Sequence, residues 1–206
     1  NPEKITVTLE SADELPKGNE PVDELIGKKF IMYIGRPTPH KNLRRLIDAF
    51  ALLQKKYPDL TLALAGKKDS NYARHETYVN EHGVKNVVFT GFISDEQLRW
   101  MYENTAVYCF PSLSEGFGLP GLEAMLHGAP VASSTATCLP ETHGDAAHYF
   151  DPFSVEDIAK SIDDILSDDK LRNELVKKGK KHVKTFSWQR MAEQTLAVYE
   201  KYGQKS

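Results

Sequence analysis

Two carboxylates flank a glycine-rich turn in the part of the sequence that is best suited to chemistry. Glu115 precedes the turn at residues 116–120 (GFGLP), and Glu123 follows Glu115 after seven intervening residues. Glycine lets the backbone approach a ligand closely, and Pro120 suits the first position of a helix. The free N–H groups and the positive dipole end of such a helix favour an anion. The pattern predicts a phosphate site at a helix start, with both carboxylates directed toward it.

A pair of cationic side chains lies earlier in the chain, in the segment GRPTPHKN at residues 35–42. Arg36 offers a planar fork of donors for phosphate oxygens, and Lys41 offers a compact charge. Solvated loop side chains would explain the pair more simply. However, the start of the following helix disfavours cations, so their placement costs free energy unless an anion is bound. We expect Arg36 and Lys41 to neutralise a diphosphate from one side, while the helix that begins near Gly118 binds it from the other.

Short apolar runs alternate with amphipathic helical patterns from Lys29 onward. Apolar strands without polar alternation are typical of a parallel sheet that is covered on both faces. The sequence therefore predicts an α/β fold with a Rossmann-like, doubly wound parallel sheet. The strands are expected at FIMYIG, LTLALAG, NVVFTG, AVYCFP and PVASS, with helices at residues 42–57, 72–83, 94–104 and 119–128.

Ligands of doubly wound sheets bind beyond the carboxyl ends of the strands, so the segments that follow the first four strands should meet at one edge. Beyond the fifth strand, residues 135–143 are expected to form a loop with no special role, and the loop continues through residues 142–152 (THGDAAHYFDP). Three extra C-terminal helices follow, the first with Ser154 as its N-cap. Near the start of the chain, a strand is expected at residues 5–9.

Composition excludes several classes of protein. With 206 residues, 40% of them hydrophobic, and a net charge of −3, the chain fits one globular domain and offers no basic patch for nucleic acid. Cys109 and Cys138 form neither a disulfide framework nor a metal-ligand pattern, which favours a reducing, cytoplasmic location. No apolar run reaches about 18 residues, and we expect a soluble chain without a signal peptide. We expect no metal site, because no Asp-x-Asp motif lies at a strand end.

The paired motifs resemble the nucleotide-sugar site of the group 1 (family 4) retaining glycosyltransferases, which have the GT-B fold and a signature of two glutamates seven residues apart. The resemblance implies that Gly35, Arg36 and Lys41 bind the diphosphate of the donor. It implies that Glu115 binds hydroxyls of the donor sugar and Glu123 the ribose diol. His127 departs mildly from the family pattern, because small residues are usual there.

The resemblance also implies a backbone contact of Ile93 with the nucleobase and backbone contacts of the glycine-rich turn with the donor. Glu115, Arg36 and Lys41 are then the expected catalytic residues. The expected substrate-binding residues are Gly35, Ile93, Gly116, Phe117, Gly118, Leu119 and Glu123. The donor is a nucleoside-diphosphate sugar, and neither a metal nor another cofactor is expected.

The resemblance predicts the domain organisation too. Residues 1–27 would be a lead-in from an N-terminal, acceptor-binding domain that is cut away, since Asn1 stands where a methionine is expected. Residues 28–186 would form the donor-binding domain, and residues 187–206 the helix that crosses back to the N-terminal domain. The basic run at residues 177–184 leaves peripheral contact with the inner face of a membrane open, although we favour a solvated helix face.

The expected activity is transfer of a hexose, with mannose as the first candidate, to a glycan or lipid-linked acceptor. One alternative is a nucleotide-sugar-binding subunit without catalysis, and the isolated domain is expected to behave in that way. A less favoured alternative is a glycoside hydrolase with Glu115 and Glu123 as acid and nucleophile. That mechanism requires carboxyl groups about 5–5.5 Å apart, and it gives Arg36 and Lys41 no role.

Overall fold

A six-stranded parallel sheet forms the centre of the protein, as a computed structural model that describes residues 4–18 and 20–203 shows. The strands are β1 (Phe30–Ile34), β2 (Thr61–Ala65), β3 (Val87–Gly91), β4 (Val107–Phe110), β5 (Val131–Ser134) and β6 (Ala147–Phe150). Their spatial order is β3-β2-β1-β4-β5-β6, and every neighbouring pair is parallel. This is the strand order of the doubly wound dinucleotide-binding fold, so the predicted fold class is confirmed.

Eight α-helices accompany the strands in the described part of the chain. They are α1 (Leu43–Leu53), α2 (Ser70–Glu81), α3 (Asp95–Asn104), α4 (Leu119–Leu126), α5 (Leu139–His143), α6 (Val155–Ser167), α7 (Asp169–His182) and α8 (Trp188–Gly203). The helices predicted after β1, β2, β3 and β4, and the three C-terminal helices, are therefore present. None of the described helices is both long and apolar enough to cross a membrane.

The sheet is buried on both faces because alternate strand side chains enter two separate cores. Ile31 and Tyr33 of β1 pack on one face with the apolar sides of α1 and α6. Phe30 and Met32 pack on the other face with α3 and α4. All four side chains are fully or almost fully buried. The continuous apolar runs of the sequence thus reflect burial on both faces, as expected for a parallel sheet.

The prediction of an uninterrupted loop between the fifth strand and the C-terminal helices was wrong. Residues 139–143 form α5, and residues 147–150 add β6 as an edge strand that pairs with β5 in the register Val131↔Ala147 to Ser134↔Phe150. The strand has only four residues and its middle two, His148 and Tyr149, are half-buried. A run this short and this polar carries too little periodicity to be distinguished from a loop.

The strand expected at residues 5–9 is also absent from the structure. Ile5 and Val7 are 72% and 68% exposed, and residues 5–9 pair with none of the six strands. Residues 11–18 and 20–25 instead contribute Ala12, Leu15, Val22 and Leu25 to the core on the α3 and α4 side, and the Leu15 N–H donates to His127 Nε2 at 3.2 Å. His127, the departure noted in the sequence, therefore holds the lead-in segment. The expectation at Asn1 lies outside the described residues.

Two serines begin helices on opposite faces of the sheet, and the cap at Ser154 was predicted from the sequence. Ser94 forms a capping box at α3, in which its Oγ accepts from the Gln97 N–H and its own N–H donates to Gln97 Oε1. Ser154 caps α6 by accepting from the Asp157 N–H at 3.1 Å. Each cap satisfies a backbone donor that the helix itself cannot bond.

We expect Ser94→Ala and Ser154→Ala each to lower the free energy of unfolding by about 1 kcal/mol, because each removes an N-cap acceptor. Urea unfolding followed by circular dichroism measures both losses, and the corresponding serine-to-glycine variants, which expose the backbone to water, should lose only a few tenths of a kcal/mol. Equal losses for the alanine and glycine variants would show that the hydroxyls do not act as caps.

Candidate functional site

The strand order places a crevice where β1 and β4 lie side by side. From β1 the chain continues outward through β2 and β3, and from β4 it continues in the other direction through β5 and β6. The segments at residues 35–42 and 111–118 leave the carboxyl ends of these two strands and diverge to opposite faces, which opens a crevice between them. A hydrogen bond from the Leu113 N–H to the His40 carbonyl, at 2.7 Å, joins the two segments.

An ion pair spans this crevice. Lys41 Nζ lies 2.7 Å from Glu115 Oε1, and the two side chains are only 20% and 12% exposed. The ammonium group also lies 5.9 Å from the centre of the Phe110 ring. The sequence predicted that both residues lie at the same edge of the sheet, but it assigned them to different parts of a ligand. In the structure the two predicted residues contact each other directly.

Asn42 holds the end of the loop that carries Lys41, and no role for this residue was predicted. Its backbone is left-handed, with φ 59°, a conformation that asparagine tolerates better than most residues. The side-chain amide donates to the carbonyls of Pro111, at 3.0 Å, and Pro152, at 2.8 Å, while its oxygen accepts from Arg45 at 2.9 Å. The buried amide thus ties the end of the Lys41 loop to the loops that follow β4 and β6.

The backbone of Glu115 is held from the other side by the segment after β5. The Glu115 N–H donates to Thr137 Oγ1 at 3.0 Å, and its carbonyl lies within hydrogen-bonding distance of Thr137 Oγ1 and Cys138 Sγ. Residues 135–143 therefore do have a role, contrary to the expectation. Their contacts with Glu115 join residues 22 and 23 positions apart, so no local sequence pattern reveals them.

The glycine-rich turn ends in a left-handed residue that begins α4. Gly118 has φ 103° and ψ 34°, and the helix starts at Leu119, so Pro120 occupies the second helical position rather than the first. Gly116 is exposed and Phe117 is half-buried, packing edge-on against Phe186 with ring centres 5.9 Å apart. The turn lies along a cleft of about 520 Å³, which residues 7–10, Glu141 and Phe186 also line.

A buried histidine supports the turn from inside the domain. His143 Nε2 lies 3.2 Å from the Gly118 carbonyl, and Nδ1 lies 3.2 Å from Ser133 Oγ. A carbonyl can only accept, so we assign the proton to Nε2, and Nδ1 then accepts from the serine hydroxyl. Burial lowers the pKa of His143 to about 4, which keeps the imidazole neutral near pH 7.

Glu123 lies in the second turn of α4 and has different neighbours from Glu115. The Tyr102 hydroxyl, from α3, donates to Glu123 Oε2 at 3.3 Å. Burial raises the pKa of Glu123, the carboxylates of Asp95 and Asp13 add to this effect, and the hydrogen bond from Tyr102 opposes it. The two carboxylates of the motif are therefore held by a lysine and a tyrosine on different elements.

Arg36 is separate from the ion pair. Its side chain is 79% exposed, and Nε lies 3.7 Å from Asp69 Oδ2. Asp69 caps α2 by accepting from the Asn71 and Tyr72 N–H groups, and the bond from Tyr72 contributes most to lowering the pKa of this carboxylate. The Tyr72 hydroxyl also lies 3.2 Å from the Gly35 carbonyl. Asp69 in the loop after β2 and Tyr72 at the start of α2 thus contact the predicted arginine and glycine.

Ile93 precedes the capping box of α3 and is half-buried at the carboxyl edge of β3. Because Ser94 is held by two hydrogen bonds to Gln97, the peptide between Ile93 and Ser94 has a fixed orientation. The predicted site residues therefore all lie on loops or helix starts at one edge of the sheet. Of these, the structure brings Lys41 and Glu115 into direct contact.

The neutral state of His143 predicts a pH-dependent stability. The folded pKa is about 4 and the unfolded pKa about 6.5, so between these values the unfolded chain binds more protons and stability falls as the pH falls. We expect His143→Gln to remove this contribution. The wild type should lose about 3 kcal/mol more than the variant between pH 7 and pH 4, because each pKa unit corresponds to about 1.4 kcal/mol.

Denaturant unfolding of both proteins at several pH values tests this. The other histidines are common to both proteins, so their contributions cancel in the difference. A difference that does not change with pH would mean that the His143 imidazole titrates normally in the folded state.

Sequence comparison identifies relatives of known class. The family described as glycosyl transferases group 1 matches residues 18–182. The chain is 35% identical to the O-antigen chain mannosyltransferase B of Escherichia coli over 182 residues, which are 85% of this chain and 47% of that protein. It is 32% identical to the MMP alpha-(1->4)-mannosyltransferase of Mycolicibacterium hassiacum over 206 residues, 98% of this chain and 49% of that protein.

A solved structure gives the same result. The C-terminal domain of a glycosyl transferase group 1 family protein from Francisella tularensis superposes with a TM-score of 0.69 at 31% identity, covering 79% of this chain and 88% of that one. The chain spans about half the length of the curated relatives that it matches. Strand order, site geometry and sequence similarity together show that the chain belongs to the group 1 glycosyltransferases and corresponds to the C-terminal domain of their GT-B fold.

Proposed function

We propose that this chain is the donor-binding part of a retaining hexosyltransferase. The donor is a nucleoside-diphosphate sugar, the hexose is mannose, and the acceptor is a glycan or lipid-linked sugar bound by a second domain. The observation that carries the proposal is the partly buried Lys41–Glu115 pair at the strand crevice of a group 1 glycosyltransferase. The two mannosyltransferase relatives support the choice of mannose.

The diphosphate lies between the Lys41 loop and the start of α4 in this proposal. Lys41 supplies a cation that is already held in position, and the first turn of α4 supplies a backbone donor and the positive end of a helix dipole. Arg36, which is exposed and paired only loosely with Asp69, turns toward the phosphates when the donor binds. In this proposal Lys41 and Arg36 neutralise the charge of the diphosphate.

Glu115 and Glu123 bind different parts of the donor. Glu115 is adjacent to the lysine that faces the diphosphate, so it accepts hydrogen bonds from hydroxyls of the hexose attached to that diphosphate. Glu123 accepts a hydrogen bond from Tyr102 of α3. The capping box at the start of α3 follows Ile93, the residue that contacts the base in this proposal. This placement suits a carboxylate that accepts from both ribose hydroxyls. The different partners of the two carboxylates support this division over a hydrolytic acid and nucleophile pair.

Catalysis follows from the charge that develops as the glycosidic bond breaks. The leaving nucleoside diphosphate gains negative charge, and donors that are already oriented toward it lower the barrier. A charge-assisted contact made mainly in the transition state is worth about 1.5–3 kcal/mol, which corresponds to roughly tenfold to a hundredfold in rate. Lys41, Arg36 and the first amide of α4 provide such contacts, and Glu115 positions the anomeric carbon.

We expect Lys41→Ala to weaken binding of a nucleoside diphosphate by about tenfold to a hundredfold and to leave binding of the free nucleoside unchanged. The substitution removes a charged donor that faces phosphate and no group that faces the base. Calorimetric titration of the chain with both ligands measures the two effects. Lys55→Ala is the matched control, because it removes the same charge from an exposed position just beyond the C-terminal end of α1.

The control should bind both ligands like the wild type. Equal losses of nucleoside and diphosphate affinity in Lys41→Ala would place Lys41 away from the phosphates and would contradict the proposal.

The two glutamates should respond differently to ligands. Glu123→Gln weakens a charge-assisted bond to the ribose, so we expect a loss of affinity for both the nucleoside diphosphate and its hexose conjugate. Glu115→Gln should lose affinity for the conjugate alone, because the hydroxyls that it binds belong to the hexose. Each loss should lie toward the lower end of about 1.5–3 kcal/mol, since glutamine still accepts hydrogen bonds.

Titration of each variant with GDP and GDP-mannose, and with UDP and UDP-glucose, measures these losses. Identical ligand profiles for the two variants would contradict separate roles, and the two carboxylates would then have to act as a pair.

A further inference from the structure

His143 has no assigned contact with the donor itself, yet it bonds the carbonyl of Gly118 in the turn that the donor approaches. We propose that His143 is a positioning residue, which holds the Gly118 carbonyl and thereby directs the Leu119 N–H into the crevice toward a phosphate of the donor. The inference rests on the proposed function, because it names the residue that orients one of the backbone N–H groups that bind the diphosphate. The neutral imidazole of His143 donates its Nε2–H to the Gly118 carbonyl.

The geometry of the peptide bond carries the argument. The carbonyl of Gly118 and the N–H of Leu119 belong to one planar, trans peptide unit, so they point in opposite directions. His143 is fully buried, and its Nε2 lies 3.2 Å from the Gly118 carbonyl oxygen on the inner side of the turn. The Leu119 N–H must therefore point away from the imidazole. A peptide unit that follows the left-handed Gly118 would be freer to rotate without this hydrogen bond.

The Leu119 N–H is the first hydrogen-bond donor of α4 that is available to a phosphate. Pro120 has no N–H, and the Gly121 N–H already donates to the Gly118 carbonyl at 3.0 Å. Within the described ranges, the Leu119 N–H has no backbone acceptor. It is thus the first amide of the helix that remains available to an anion, and the dipole of α4 adds to its attraction.

Two glycines make room for the imidazole. A Cβ atom on Gly121 would lie 2.2 Å from His143 Nε2, and one on Gly118 would lie 3.2 Å from the same nitrogen. The two glycines therefore leave the space that lets the ring reach the turn. On the far side, the Ser133 hydroxyl holds Nδ1 at 3.2 Å, so the ring cannot turn without losing a buried hydrogen bond.

The test compares two substitutions that differ in one donor. His143→Leu fills much of the same space without an N–H, whereas His143→Gln keeps an N–H near the position of Nε2. The tightest binder among ADP, GDP, UDP and CDP, together with its own nucleoside, is titrated into the 206-residue chain by calorimetry. We expect His143→Leu to weaken diphosphate binding about threefold to tenfold and to spare the nucleoside, because one neutral hydrogen bond is worth about 0.5–1.5 kcal/mol. His143→Gln should recover most of the loss.

Two controls separate positioning from general destabilisation. Ile165→Val removes a methylene group from the core on the α1 and α6 face, which is the opposite face of the sheet from α4. It should leave the affinities for the diphosphate and the nucleoside unchanged. Ser133→Ala keeps the imidazole but removes the partner of Nδ1, and should give a smaller loss that is again confined to the diphosphate. If His143→Leu does not fold, the Ser133→Ala result decides the question.

Unchanged diphosphate affinity in a folded His143→Leu protein, an equal loss for the nucleoside, or no recovery in His143→Gln would overturn the positioning role. Lys41→Ala, titrated in parallel, distinguishes this failure from failure of the proposed function. If Lys41→Ala loses diphosphate affinity and His143→Leu does not, the proposed donor site is supported and the positioning role of His143 is wrong. If neither variant loses affinity, the diphosphate does not bind in this crevice.

Discussion

The contact between Lys41 and Glu115 joins the two halves of the sheet at its topological switch point. The residues are 74 positions apart, and they meet because β1 and β4 are neighbours in space. Both side chains are largely buried, and removing one partner would leave an uncompensated charge in a poorly solvated place. The start of α4 lies on one side of this pair, and the loop that carries Arg36 lies on the other.

Neutral hydrogen bonds fix the loops that carry these charges. Asn42 ties the end of the Lys41 loop to two other loops, Thr137 bonds the backbone of Glu115, and His143 holds the turn before α4. Each of these groups bonds backbone atoms, so it fixes the backbone of the site through contacts that do not occupy the Lys41 or Glu115 side chains. A site whose donors are already oriented loses less free energy on binding than one that must reorganise.

The sequence predicted the parts of the molecule that local patterns determine. Apolar runs and helical periodicity located β1 to β5 and most helices, and the spacing of Glu115, Glu123 and Lys41 located the crevice. Contacts between distant residues were not predictable in this way: the Lys41–Glu115 contact, the bonds of Asn42 and the position of His143 depend on how loops pack. Residues 5–9 show the converse, since an alternating pattern forms no strand without a neighbouring strand to pair with.

The proposed function requires that a nucleoside diphosphate binds between the loop after β1 and the start of α4. Amide hydrogen exchange of the chain, measured with and without a saturating nucleoside diphosphate, locates the bound ligand because it reports on every backbone segment at once. We expect increased protection in residues 35–42, 91–94 and 113–122, and no change in α7 or α8. Protection confined to the basic end of α7, or absent from both the β1 and β4 loops, would mean that the diphosphate binds elsewhere.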